Sequence, residues 1–224
     1  MTGDRLTLAS AVLVGIFAYA ARTARAAPED GVVSAWAAES AAELVRQGQE
    51  HARRGDEELA TRRFAEAVRL DPTYGPAYLE LGSARERAGD LGEAERTYDV
   101  ALRAIPDFVP ALRARAALWH KSGEMAKELA DLEEAARLSD APEVLRDLAT
   151  RQVEERAWPA ALATWRKVLA SAEGRADAGV VHEAKVKIRA LGILCGELDP
   201  VASGALSRDW VRRAEASVAR RRGM

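Results

Sequence analysis

Cysteine is almost absent from this sequence, which has one, Cys195, among 224 residues. A single thiol cannot form a disulfide within the chain, so packing alone must hold the fold together even in an oxidising compartment. Cys195 lies on an apolar helical face at the spacing of core residues, and we interpret it as a small core side chain. A reactive thiol is the alternative.

Residue patterns for catalysis and metal binding are also missing. The histidines His51, His120 and His182 include no pair at metal-ligand spacing, and the lone cysteine is remote from them in sequence. The chain contains neither a G-x-S-x-G nucleophile motif nor a glycine-rich phosphate loop. Acidic pairs at 133–134 and 154–155 have the spacing of solvated helix faces. We therefore predict no metal, no cofactor and no enzymatic activity, with a catalytic site shared between distant helices as the alternative.

Lysine is scarce, with five among 33 basic residues, and the net charge is −2. This balance gives no broad basic surface for a polyanion, so no nucleic-acid partner is expected. β-Branched runs with alternating polarity are absent, whereas alanine, leucine, arginine and glutamate dominate. Because these residues lose little side-chain freedom in a helix, the composition predicts an all-α protein.

The first 26 residues differ from the rest of the chain. A short start with Arg5 precedes an apolar run over 6–20, and residues 24–26 then give the A-x-A pattern of a cleavage site. The run is shorter than the roughly 20 residues that span a bilayer. We predict a signal peptide over 1–26 and an exported, periplasmic protein. The alternative is an uncleaved inner-membrane anchor with the chain facing the periplasm, and only then would the membrane be a partner.

Internal repetition with a period of 34 residues is the main pattern in the chain. Six sets of similar residues recur at that spacing. They are Gly55, Gly89 and Gly123; Phe64, Tyr98 and Leu132; Ala67, Ala101 and Ala135; Leu44, Tyr78 and Leu112; Pro72 and Pro106; and Ala60 and Ala94. So many coincidences at one period indicate repeated structural units.

Each period predicts two helices and two turns. In 75–108, Tyr78, Leu81 and Arg85 lie on one face of a first helix, and Gly89 ends that helix in a left-handed conformation. A second helix ends before a proline, because the residue preceding proline is pushed out of the helical region. Helices of about a dozen residues are marginal alone, so each pair must stack on its neighbours.

This pattern resembles the tetratricopeptide repeat family, in which Leu-Gly, a mid-repeat glycine, alanines, aromatic residues and a closing proline recur in order. The second repeat carries the pattern at Tyr78, Leu81, Gly82, Gly89, Ala94, Tyr98, Ala101 and Pro106. Departures occur at Gln47, His51, Arg85, Arg115, Glu128 and Asp140. A fourth, degenerate repeat lacks the mid-repeat glycine and has Arg156 in its place.

The resemblance implies an all-α, helix-turn-helix solenoid of three to four repeats with helical caps. The predicted segments are the signal peptide 1–26, an N-terminal linker or capping helix 27–40, repeats at 41–74, 75–108 and 109–141, a degenerate repeat at 142–175 and C-terminal capping helices at 176–224. We expect Trp36 to cover the exposed end of the stack. The arginines at 220–222 either belong to a polar cap or contact a membrane surface or an acidic partner.

In this family the first helix of each repeat lines a concave groove that binds extended or helical peptide segments. The resemblance therefore implies candidate binding residues: Gln49 and Arg53 in repeat one, Ser83 and Arg87 in repeat two, Arg113, Ala117, His120 and Lys121 in repeat three, and Arg146 and Thr150 in repeat four. The set is mostly cationic, and its small residues leave room for a backbone. It favours an acidic peptide or a carboxylate held by an arginine fork. Solvated charges of an arginine-rich protein are the alternative interpretation.

We therefore expect a non-catalytic scaffold or adaptor of the cell envelope that binds a protein or peptide partner. The alternative is a membrane-tethered subunit of an envelope assembly, secretion or motility complex, with the N-terminal helix uncleaved. Both settings follow from family analogy alone.

Overall fold

The computed structural model describes the backbone of residues 29–199 and the side chains of residues 35–199. The predicted signal peptide, the C-terminal segment after 199 and the arginines at 220–222 lie outside these residues. Within 29–199 the chain forms nine helices and no strand, which confirms the predicted all-α class. None of these nine helices is both long enough and apolar enough to cross a membrane.

Short turns join consecutive helices. They are α1 (Glu29–Arg54), α2 (Glu57–Leu70), α3 (Gly75–Arg87), α4 (Leu91–Ala104), α5 (Val109–Ser122), α6 (Met125–Leu138), α7 (Pro142–Glu154), α8 (Trp158–Gly174) and α9 (Ala178–Leu194). The described residues divide into two compact units between Thr97 and Tyr98. We call their described parts, 29–97 and 98–199, unit 1 and unit 2.

The turn inside each repeat has a left-handed residue. Gly55, Gly89 and Gly123 have φ angles of 87°, 84° and 74°, which confirms the conformation predicted for the mid-repeat glycine. Arg156 adopts the same conformation with φ of 61°. Its N–H donates to the carbonyl of Val153, just as the N–H of Gly55 donates to a carbonyl three residues earlier. The fourth repeat therefore keeps the turn without the glycine.

Unit 1 is packed by close contact between α1 and α2. Phe64 on α2 is completely buried, and its ring lies against Gly48 on α1. A Cβ atom at position 48 would lie 2.5 Å from Phe64 Cε1, so only glycine fits without a shift of the ring. The alanines at 60 and 67 are also fully buried and let the two helices approach.

Unit 2 is packed as a succession of neighbouring helices, with α5 on α6, α6 on α7, α7 on α8 and α8 on α9. Trp165 and Leu162 on α8 are almost completely buried between α7 and α9. Cys195 is half-buried and packs against this cluster, as its interpretation as a core residue predicts.

The N-terminal segment is helical within the described residues and continues into the first repeat, because α1 runs without interruption from Glu29 to Arg54. No proline interrupts this stretch, and its many alanine and glutamate residues favour a continuous helix. Trp36 does not cover the end of a core, since 62% of its surface is exposed.

Candidate functional site

A cleft of about 390 Å³ in unit 2 is lined by α5, α6 and α7. Every candidate residue predicted in repeats three and four lies on its wall: Arg113, Ala117, His120, Lys121, Arg146 and Thr150. They converge because 113, 117 and 120 share one side of α5, and 146 and 150 share one side of α7. The six residues predicted from equivalent repeat positions therefore lie on one surface.

The middle of this cleft is narrow and apolar. Buried Ala116 and Leu132 form part of its lining, and exposed Ala117 and Thr150 face the opening from α5 and α7. Because all four side chains are apolar or small, a bulky side chain from another molecule can enter between the two helices.

One end of the cleft holds two arginine–carboxylate pairs. Arg113 Nη2 lies 2.6 Å from Asp147 Oδ2, and Arg113 Nε donates to the same oxygen at 2.7 Å. Arg146 Nη1 donates to Glu183 Oε2 at 3.4 Å. The arginine side chains are 37% and 41% exposed, so solvent and ligands can reach both. The sequence prediction included the arginines but neither carboxylate.

The other end of the cleft contains buried charges. Glu128 and Arg151 are only 6% and 5% exposed. Arg151 Nη1 and Nη2 each lie 3.0 Å from a carboxylate oxygen, of Glu154 and Glu155 respectively. Its Nε is 3.3 Å from Glu128 Oε2 but lacks hydrogen-bond alignment there. His120 Nδ1 lies 3.1 Å from Glu128 Oε1. The acidic pair at 154–155 is therefore more than a solvated face, because it holds a buried arginine.

A second buried carboxylate, Asp131, lies one turn further along α6. Arg115 donates to it twice, from Nε at 2.9 Å and from Nη2 at 2.7 Å. Trp119 Nε1 donates to Asp131 Oδ2 at 3.1 Å, and Arg115 Nη1 donates to Asp99 at 2.5 Å. The hydrogen bonds to Asp131 raise the pKa of the Arg115 guanidinium despite partial burial. Arg115, a departure from the family pattern, is thus fully paired in the fold.

Sequence reasoning missed a polar contact that recurs between the two helices of a repeat. Its partners are twelve residues apart: Arg85 with Thr97, Trp119 with Asp131, and Gln152 with Thr164. The first two pairs are 34 residues apart and the third follows after 33. A search of the repeat columns for polar residues twelve apart would have found them.

Three of the four candidates of repeats one and two also lie together, around a hollow of about 510 Å³ in unit 1, whereas Ser83 contacts Arg87 without lining it. Gln49, Arg53 and Arg87 line this hollow with Glu57 and Glu80. Two cations therefore face two carboxylates, and the surface carries no excess positive charge.

Hydrogen bonds cross the unit 1 hollow. Gln49 Nε2 donates to Glu80 Oε1 at 2.6 Å. Arg87 donates from Nε and Nη2 to the two oxygens of Glu57, both at 3.0 Å, and from Nη1 to Ser83 Oγ at 3.0 Å. The hydrogen bonds from Arg87 lower the pKa of the Glu57 carboxyl.

Metal ligands do not cluster in the part of the chain that the structure describes: nowhere in it do three His, Cys, Asp or Glu side chains come together as a metal ion requires.

No protein-family model and no curated protein matches this chain. Solved structures do match it. A tetratricopeptide repeat protein from Parabacteroides merdae is 22% identical, with a TM-score of 0.56 over 71% of this chain and 61% of its own length. PilF of Pseudomonas aeruginosa is 17% identical, with a TM-score of 0.55 over 71% of this chain and 70% of its own. MamA is 16% identical, with a TM-score of 0.54 over 70% of this chain and 84% of its own. At these identities the likeness concerns the fold, and the chain has the fold of the tetratricopeptide repeat family, as its sequence predicts.

Proposed function

We propose that this chain is a non-catalytic protein-interaction scaffold and that the unit 2 cleft holds an extended segment of a partner protein. The observation that carries the proposal is the convergence of six predicted residues on one cleft with a small, apolar middle. Helical repeat proteins act by presenting such surfaces.

The dimensions of the cleft suit a short extended segment. Arg113 and Lys121 are eight residues apart on α5, and Arg146 and Glu154 are eight apart on α7, so each wall is about 12 Å long. An extended chain rises about 3.3 Å per residue, so about four partner residues span this length. The central one would place an apolar side chain between Ala117 and Thr150.

The charges of the lining favour acidic residues on either side of that apolar side chain. Four cations line the cleft against three carboxylates: Arg113, Lys121, Arg146 and Arg151 against Glu128, Asp147 and Glu154. A partner carboxylate can compete with Asp147 for the exposed fork of Arg113, because charge-assisted bidentate contacts are among the strongest polar contacts.

A peptide library tests the site. The probe is a set of short peptides with a central apolar residue, flanked in different members by acidic, basic or neutral residues. Ala117→Trp fills the middle of the cleft and should abolish binding, whereas Ala170→Trp, at an exposed position on α8, should not. Equal binding by the two variants would refute the cleft as the site.

The same library separates the acidic preference from the site itself. The wild type should select acidic flanks, and the double variant Arg113→Glu, Arg146→Glu should lose that selection while keeping its helical circular dichroism spectrum. If the wild type selects neutral flanks and Ala117→Trp still blocks binding, the cleft stands and the acidic preference is wrong.

We also propose that the chain is exported and works in the periplasm, on the evidence of its N-terminal pattern alone. Mass measurement of the protein from its native host tests this. A chain starting at Ala27 supports export with cleavage, and an intact Met1 supports the tethered alternative.

A further inference from the structure

An exposed apolar face lies on α1 in unit 1, away from the hollow described above. Trp36, Ser40 and Leu44 on α1 and Leu70 at the end of α2 line a depression of about 790 Å³. Trp36 is 62% exposed, which makes it the most exposed large apolar side chain among residues 35–199. Patches of this kind mark protein–protein contacts.

The equivalent positions of the other repeats indicate what kind of partner would pack on this face. Leu44 occupies the repeat position of Leu112 and Leu145, which are only 6% and 4% exposed. In unit 2 a side chain of the preceding helix packs against the cluster of each: Leu102 of α4 against the cluster of Leu112, and Ala136 of α6 against that of Leu145. Leu44 lies on the first described helix and remains half-exposed. Its face therefore has the ridges and grooves of a helix-packing surface.

The edges of the face carry charges of both signs. Glu39, Glu43 and Arg46 border the depression, and Arg46 Nη2 lies 2.6 Å from Glu43 Oε1. In an antiparallel pair of α1 helices, Glu39 near one end of the patch meets Arg46 of the second copy, and the same contact recurs across the two-fold axis. Small Ser40, one turn from both Trp36 and Leu44, permits close approach of the two helices.

We infer that this face binds a second copy of the same chain, α1 against α1, in a two-fold dimer. Two-fold contacts use the same patch on both subunits, which requires a self-complementary surface of this type. With 26 residues, α1 is about 39 Å long and offers several turns for the contact.

Sedimentation velocity of the full chain over a wide concentration range tests the dimer. The wild type should show a monomer–dimer equilibrium. Leu44→Glu should raise the dimer dissociation constant more than about tenfold, because it places a carboxylate at the centre of both faces. Leu59→Glu is the matched control, since Leu59 is 44% exposed on α2 and does not line the face. Trp36→Ala, at a position too exposed to matter for folding, provides a second variant.

A charge exchange tests the two-fold arrangement. Glu39→Arg and Arg46→Glu should each weaken the dimer, and the double exchange should restore it. A wild type that stays monomeric at every concentration overturns the inference, whether residues 1–28 or a different protein covers the face. Equal dissociation constants for Leu44→Glu and Leu59→Glu overturn it as well.

Discussion

The two units place their charges differently. Among the side chains of residues 35–199, the buried charged ones, Glu128, Asp131 and Arg151, all belong to unit 2. Unit 1 is packed by shape, with Phe64 against Gly48, and its charges pair at the surface. The difference shows that one repeat pattern accommodates two arrangements: an apolar core with its charges paired at the surface, and a core that also contains buried ion pairs beside a cleft.

Burying the charged side chains of unit 2 costs free energy, and the fold offsets that cost by giving almost every buried polar atom a partner. Burying an ion is unfavourable unless its partners replace the lost water. Asp131 accepts three hydrogen bonds, and Arg151 faces three carboxylates. Polar networks in which nearly every member is paired are rigid. We infer that they fix Glu128 and His120 at the end of the cleft, whereas the side chains that line the unit 1 hollow are exposed or half-exposed.

The largest expected effect comes from breaking these buried ion pairs, the ionic core of unit 2. Asp131→Ala should lower the free energy of unfolding by about 3 kcal/mol, because it leaves Trp119 Nε1 without an acceptor and Arg115 with only Asp99. Urea unfolding followed by circular dichroism measures the change.

Thr97→Ala is the matched substitution in unit 1, because Thr97 occupies the same repeat position and accepts a hydrogen bond from Arg85. It should cost only about 1 kcal/mol, since Arg85 is 28% exposed and can turn to water. Equal losses from the two substitutions would contradict the distinction between an apolar and an ionic core.

Most of this contrast could not be predicted from the sequence. The period of 34 correctly predicted the paired helices and the left-handed turns, because these depend on local patterns of glycine, proline and apolar residues. The repeat pattern identified Arg115 as a departure from the family. It could not identify the partners of Arg115, because Asp99 and Asp131 lie on other helices, each 16 residues away in sequence.

The net charge of the two candidate surfaces could not be predicted from the sequence either. Groove positions were taken from a few repeat columns of the first helices, so they included Arg87 and Arg113. They missed Glu57, which lies on the second helix α2, and Asp147, which lies on the first helix α7 but outside those columns. Ion pairs between elements depend on how helices are placed next to each other, and a column of equivalent positions does not contain that information.

Shape packing in unit 1 can be tested at Gly48. Gly48→Ala should destabilise the protein by about 1–3 kcal/mol, because the new methyl group would lie within 3 Å of the Phe64 ring. In unit 2 the same repeat position holds buried Ala116, so there the opposite change, Ala116→Gly, should cost about 1–2 kcal/mol through lost burial and helix propensity.

Gly92→Ala is the control for these measurements. No atom lies within 4 Å of a Cβ built at this helical glycine, so the change should stabilise the protein by about 0.5–1 kcal/mol. A stabilising Gly48→Ala would mean that the contact with Phe64 does not set the approach of α1 and α2.

The intra-repeat turns offer a smaller test. Arg156 adopts a left-handed conformation that costs a non-glycine residue about 1 kcal/mol, so Arg156→Gly should stabilise unit 2 by up to that amount. Gly89→Arg should destabilise unit 1 by about 1 kcal/mol. Thermal unfolding of both variants measures the two changes, and shifts of the same sign would contradict the equivalence of the turns.

The smallest effect concerns the Glu57–Arg87 pair. Hydrogen bonds from Arg87 lower the pKa of Glu57 from 4.5, so the pair stabilises the fold above that pH, and the stabilisation is lost as the pH falls through the lowered value. Both side chains are more than 40% exposed, so screening limits the coupling to less than about 1 kcal/mol. A double-mutant cycle with Glu57→Gln and Arg87→Gln should show coupling near neutral pH and none in acid.

High salt should also abolish the Glu57–Arg87 coupling, whereas the coupling of Arg115 with Asp131, which are 22% and 9% exposed, should persist. A salt-resistant Glu57–Arg87 pair would remove the distinction between a solvated polar surface in unit 1 and an enclosed ionic core in unit 2.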